Sequence, residues 1–310
     1  MKKGMKLIAL ILTLVLFAAM AMGSGSDSSG SGSGSSSGSV SGSPGAKEPS
    51  GEKESSGKTE EVNVTIEEQV LFEQDGIRVT AKEYESGGFW GDGIKLLIEN
   101  DSEHNVTVSC DALIVNNYMI SDLFSASVAA GKKSNDTLNL LSSELKAAGI
   151  STVGQIEAYF RVYDSDSWED MFKTGNVTIQ TSEFGNMDVT PDDTGFELLN
   201  ENGIRICARY VDEDSFWGAA VLLYCENNSG RNITITADDL SVNGFMVTSY
   251  CYITVYDGKM AFDDITLLSS DLKENDIEKI EEIELKFHII DADSWNTVLD
   301  TSTLTFTVSG

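Results

Sequence analysis

One spacing recurs through the chain and constrains its fold more than any other feature. Gly76-Ile77-Arg78 returns as Gly203-Ile204-Arg205, an offset of 127 residues. At the same offset Phe89-Trp90-Gly91 returns as Phe216-Trp217-Gly218, Glu99-Asn100 as Glu226-Asn227, and Leu141-Ser142-Ser143 as Leu268-Ser269-Ser270. Asp164, Asp166, Ser167 and Trp168 return as Asp291, Asp293, Ser294 and Trp295, so all 4 tryptophans fall into equivalent pairs. The period far exceeds that of stacking solenoid units, so each copy is expected to be a domain with its own core. The expected boundaries are 64–182 for the first repeat, 183–194 for a linker and 195–310 for the second repeat.

Inside each copy the rhythm is two. Ile77, Val79 and Ala81 alternate with Arg78 and Thr80, as Ile204, Ile206 and Ala208 do with Arg205 and Cys207. Ile94, Leu96 and Ile98 match Val221, Leu223 and Cys225; Ile156, Ala158, Phe160 and Val162 match Ile283, Leu285, Phe287 and Ile289. Alternation with one apolar face marks half-buried antiparallel strands. About seven such strands per copy, joined by Asn/Asp/Gly/Ser turns, predict an all-β fold of two tandem immunoglobulin-like β-sandwiches. One short helix is expected over 143–148, with Gly149 after its end, and a twin beginning near Ser270.

The N-terminal region reads differently. Lys2, Lys3 and Lys6 precede an apolar run from Leu7 to Phe17 and small residues at Ala19 and Ala21, the pattern of a signal peptide over 1–23. Residues 24–63 are Ser/Gly-rich and grade into Lys and Glu, a composition expected to stay a disordered linker spanning about 30–35 Å. The chain carries a formal charge of −29. It lacks the clustered cations that replace counterions on phosphate, so no nucleic acid is expected as partner, and contact with a membrane is expected only through the N-terminal segment.

Asp75-Gly76-Ile77, Ile98-Glu99-Asn100, Gly131-Lys132-Lys133, Leu141-Ser142-Ser143-Glu144-Leu145 and Val242-Asn243-Gly244-Phe245-Met246 together prompt a resemblance. The chain resembles secreted Gram-positive bacterial proteins with tandem immunoglobulin-like domains of unknown function. The resemblance covers both repeats; it implies the fold and an extracytoplasmic, cell-envelope location, and it brings no catalytic residues. Those relatives resemble lipoproteins, and this chain departs from them in having Ser24 near where a lipid-accepting Cys would stand.

No catalytic residues and no cofactor are expected. The 2 histidines, His104 and His288, align with Arg231 and Arg161, which suits solvent-facing positions rather than a general base. Of the 4 cysteines, Cys225 and Cys251 face the second core by alternation. They either form a disulfide between the sheets or act as small buried apolar residues, as Ile98 and Phe124 do at the equivalent positions. Asp164, Asp166, Asp291 and Asp293 are the weak candidates for Ca²⁺, but no full calcium loop accompanies them, and capping of a turn backbone is the simpler role. Phe89, Trp90, Trp168, Phe216, Trp217 and Trp295 lie in predicted loops. They either fold back to plug the open ends of the sandwiches, which explains why both copies keep them, or stand out to contact a protein or glycan. The function expected is a non-catalytic binding or adhesion module, the alternative a structural spacer or envelope-maintenance protein. The two differ in whether the tryptophans are exposed.

Overall fold

The computed structural model describes residues 63–121, 124–212 and 218–308. The expected signal peptide, almost all of the expected linker, and Phe216 and Trp217 lie outside them. The described residues are β-strands with two short helices and one 3₁₀ turn.

In the first repeat β1 (Gln69–Gln74), β2 (Ile77–Gly88), β3 (Gly91–Asn100) and β7 (Lys132–Leu141) form one sheet in that order. The facing sheet holds β4 (Val106–Val115) between β5 (Tyr118–Ile120) and β6 (Ser125–Val128) on one side and β8 (Gln155–Asp164) on the other, with β9 (Asp170–Lys173) and β10 (Val177–Gln180) beyond β8. Helix α1 (Ser142–Ala147) follows β7. The second repeat builds β11 (Phe196–Glu201), β12 (Ile204–Asp212), β13 (Gly218–Asn227) and β18 (Lys259–Leu268) into its first sheet. Its second sheet contains β14 (Ile233–Val242), β15 (Phe245–Met246), β17 (Ile253–Val255), β19 (Glu282–Asp291), β20 (Thr297–Asp300) and β21 (Leu304–Thr307). The short β16 (Ser249–Tyr250) pairs β18, and α2 (Ser269–Glu274) follows it.

The copies are built alike down to single atoms. Asn100 and Asn227, both fully buried, each hold a loop and a neighbouring strand end. Asn100 Nδ2 donates to the His104 and Val128 carbonyls at 2.8 and 2.9 Å. Asn227 Nδ2 donates to those of Arg231 and Val255, both at 2.8 Å. Burying an amide this deeply is tolerated because its donors and acceptor are used. The hairpins Asp75-Gly76 and Asn202-Gly203 both have positive φ at their two central residues, the geometry that matches the twist of the flanking strands.

The alternating residues named above fill two cores, Ile77, Ile98 and Phe160 in the first and Ile204, Leu223 and Phe287 in the second. Cys110 is only half-buried because the β4·β8 register slips between Cys110 and Ala112, which rotates the strand off its two-residue rhythm.

The two repeats meet along one shared sheet. Strand β5 runs parallel to the start of β18, with Met260 opposite Tyr118, and the Met260 N–H donates to the Asn117 carbonyl at 2.9 Å. It is the one parallel pairing among the described strands. The outward face of the second repeat's first sheet, which alternation alone would leave in water, carries the cross-strand row Cys207, Tyr224, Phe262. Cys207, Tyr224 and Met260 are buried in the first repeat's cluster. Tyr118 stacks on Phe262 with centroids 5.7 Å apart, and the Arg209 guanidinium lies 5.5 Å above the same ring. Arg209 also grips Asp192 of the segment between the repeats with two charged hydrogen bonds of 2.6 and 2.8 Å. Thus the span 183–194 is tied down, and Met187 packs against Gly154 so closely that a Cβ there would meet it at 2.6 Å.

Candidate functional site

The exposed aromatic side chains sit on loop tips that the strands hold in place. Phe89 and Trp90 form the tip between β2 and β3. Gly88 pairs Gly91 across it, and a Cβ on Gly91 would lie 2.6 Å from the Leu140 carbonyl, so the tip backbone rests directly on β7. The Ser142 N–H donates to the Trp90 carbonyl at 3.2 Å. Asp92 braces the near side, accepting from the Tyr84 hydroxyl at 2.5 Å and the Gly87 N–H at 2.9 Å. Burial, with Asp92 beside it, pushes the Tyr84 phenol well above its ordinary range, so it remains a donor. The two rings meet edge to face at 4.9 Å. Below them an open depression of about 610 Å³ is lined by Gly87, Gly88, Asp92, Ser142, Lys146 and Ser151.

Trp168 stands at the opposite end of the same sandwich, since Asp164 pairs Val106 beside the β6–β7 connection whereas Gly91 pairs Leu141. The Asp164 carboxylate accepts from the Asp166 and Ser167 N–H groups at 2.8 and 2.9 Å, and the Asp164 carbonyl accepts from Trp168 N–H at 2.8 Å. This clasp holds Trp168 at φ 63°, and its ring stacks on Tyr163, 5.6 Å away. Arg161 lies 5.1 Å over the other aromatic of the ladder, Tyr163. Asp291 repeats the clasp on Asp293 and Ser294 at 3.1 and 2.8 Å, and Trp295 has φ 61°. Phe89, Trp90, Trp168 and Trp295 are 92, 57, 71 and 66% exposed. The expectation that each tryptophan folds back as a plug is therefore overturned for the three described. The backbone turns that carry them are closed by aspartate and glycine, and the rings are left outside.

The same geometry accounts for the acidic pairs. The N–H groups of Ser167 and Asp166, with His104 at 2.8 Å, hold the Asp164 carboxyl below its ordinary value, and Ser294 does the same for Asp291. These oxygens cap turns. Among the described residues no three His, Cys, Asp or Glu side chains are arranged to hold a metal ion.

The alternative of a Cys225–Cys251 bridge is corrected. Cys225 and Cys251 are both free thiols; Cys225 lies in the second core and Cys251 Sγ donates to the Ile235 carbonyl at 3.8 Å. Ile98 and Phe124 occupy the equivalent places in the first core, so these positions are spaced for packing rather than for a bond. Burial raises both thiols, Cys251 to about 12, which removes the thiolate that disulfide exchange needs.

Two features escaped sequence reasoning. One is the seam, where Lys259 Nζ meets Glu157 Oε1 at 2.6 Å with both side chains largely buried. Glu157 also accepts from Asn176 and Gln155 at 2.5 and 3.1 Å, and Tyr159 packs edge-on against Tyr256, 5.0 Å away. Beside it a depression of about 230 Å³ is lined by Asp111, Met119, Glu144, Tyr252, Phe262 and Asp263. The second is the exposure of Phe245 and Met246 on β15.

No family model matches the sequence, and no curated protein matches it. Among solved structures, the chain is similar to the YadV chaperone at 10% identity, with 70% of this chain and 92% of that one covered and a TM-score of 0.23. It is also similar to the Salmonella enterica SafA pilin in complex with the SafB chaperone, at 10% identity, 76% and 98% coverage and a TM-score of 0.23. A third similarity, at 12% identity and a TM-score of 0.24, is to Amycolatopsis orientalis exo-chitosanase CsxA, of which only 26% is spanned against 76% of this chain. Likeness at this level carries no argument about activity or ligand. The all-β sandwich architecture stands on the chain's own sheets.

Proposed function

We propose that the protein is a non-catalytic binding module that acts outside the cytoplasm at a bacterial cell envelope. A protein or glycan of that surface is held on its aromatic loop tips. The observation that carries this reading is the outward stance of Phe89, Trp90, Trp168 and Trp295 on turns closed by glycine and aspartate. A ring fixed by its own backbone loses little freedom on contact, so its apolar area is available to a ligand. A spacer has no use for exposed tryptophans and would bury them. Two sequence features support the setting: the signal-peptide pattern over 1–23 and the linker over 24–63. Among the described residues no helix is long and apolar enough to cross a membrane.

Co-sedimentation of the protein with envelope fractions and with purified wall polysaccharide tests the reading. Retention that drops at least tenfold in the Phe89→Ala/Trp90→Ala or Trp168→Ala variants supports it. Retention that all these variants keep, or the absence of any retention, refutes the role of the tips.

A further inference from the structure

The seam inside the chain is a finished joint, and the repeat leaves the two halves of a second one open. In the finished joint the first repeat offers the edge strand β5, with Tyr118 and Met119, and Glu157 beside it. The second repeat receives them on the edge of β18 with Lys259, Arg209 and the row Cys207, Tyr224, Phe262. An offset of 127 turns the offering residues into Phe245, Met246 and Glu284, so the aromatic ring, the methionine and the glutamate are all kept. Among the described residues no strand lies on the outer side of β15. Phe245 and Met246 stand 49 and 66% exposed, where Tyr118 is 2%.

The same offset turns the receiving residues into Lys132, Lys82 and the row Thr80, Leu97, Asn135, which again runs in register across three strands. A lysine, a second cation and a small residue survive, the last as Thr80, which is buried in its own repeat, and Leu97 stands in place of Tyr224. Asn135 and Lys133 replace Phe262 and Met260. Among the described strands β7 ends its own repeat's sheet, as the start of β18 does beyond the reach of β16, and Lys132 at the start of β7 is exposed. Charge matches as well. The offering surface carries Glu281, Glu282 and Glu284, and Lys132 is the receiving cation that meets them, because three neighbouring cations are used within their own repeat. Arg78, Lys82 and Lys133 pair with Glu73, Glu68 and Glu99 of their own repeat.

We propose that a second copy of this chain docks head to tail. The Phe245–Met246 edge of one copy lies along the start of β7 in the next, and Glu284 of the first pairs with Lys132 of the second. The joint is heterologous, so each added copy leaves the same two halves open and the assembly propagates. With two apolar groups missing from the receiving side, it is weaker than the internal joint and forms only when the protein is concentrated.

Sedimentation velocity of the full chain between about 10 μM and about 1 mM tests this, because a weak joint populates in that range. The expected result is a mass that rises with concentration for the wild type and stays monomeric for Phe245→Lys, an exposed position where folding is spared. Glu284→Lys and Lys132→Glu each suppress association, and their equimolar mixture restores it, since each reversed charge then finds its complement. A monomer throughout the range overturns the proposal. So does association that the three variants leave unchanged, which would belong to another surface, or a mixture that stays monomeric.

Discussion

Removing one member of the Glu157–Lys259 pair tests whether the seam is a mechanical part of the fold. The side chains are 5 and 16% exposed, and Lys259 reaches across from the second repeat to the first. Taking away one partner strands the other charge in a poorly solvated place, which costs about 3–5 kcal/mol, whereas an exposed pair would lose under about 1. Glu157→Leu and Lys259→Met are therefore each expected to destabilise by the larger amount. The double variant Glu157→Leu/Lys259→Met is expected to return close to wild type, because two apolar groups of similar volume can replace a buried pair. Urea unfolding followed by circular dichroism gives the three free energies and hence the coupling. The pH dependence gives an independent check. Burial raises the Glu157 pKa, but hydrogen bonds from Lys259, Asn176 and Gln155 outweigh it and hold the carboxyl below its ordinary value. Its contribution is thus present above the unfolded carboxylate pKa, about 4.3, and is lost as pH falls through the lower folded value; the double variant should lack that loss. Single variants that shift stability by less than about 0.5 kcal/mol would refute the reasoning, since that is the range of ordinary surface substitutions.

Three further outcomes are expected. Asp263, beside the seam, has its pKa pushed up to about 6 by burial; its contribution is full below about pH 4 and lost as pH rises through 6. Asp263→Asn should therefore stabilise the protein by roughly 2–3 kcal/mol at pH 7 and leave it unchanged at pH 4, as read by thermal unfolding at both values. Asn100→Ala or Asn227→Ala removes the two loop-holding donors and leaves buried carbonyls unpartnered; each should cost about 2–3 kcal/mol in urea titrations. Acrylamide should quench most of the tryptophan emission, and Trp90→Phe should remove a readily quenched component, because the ring is more than half exposed.

The strands were legible because a 127-residue offset and a two-residue rhythm are both visible in plain sequence. The equivalent strands β3 and β13, β4 and β14, and β8 and β19 begin and end at that offset. The helix pair was legible too, within a residue at its start. What alternation could not show was that one outward face is also buried. Cys207 shares its face with Arg205 and Arg209, and by rhythm alone it belongs in water. The clue lay in comparing the copies with each other. Thr80, Leu97 and Asn135, buried, half-buried and exposed in turn, make the matching row in the first repeat, and Cys207, Tyr224 and Phe262 replace them with a sulfur and two rings in the second. Such a change at matched positions marks where equal folds meet unequal surroundings. The tips were legible as candidates and misread in direction, since composition does not say whether a ring beside glycine turns in or out.

Trp168 and Trp295 adopt a left-handed backbone that disfavours any side chain bulkier than hydrogen, at a cost of roughly 1–2 kcal/mol each. Glycine would suit both turns better, and Trp168→Gly would relax the chain while deleting the ring. The stacking of Trp168 on Tyr163 is the one intramolecular contact described above that offsets this cost. If the tips hold a ligand as proposed, both halves of the molecule spend backbone strain to present a ring to it.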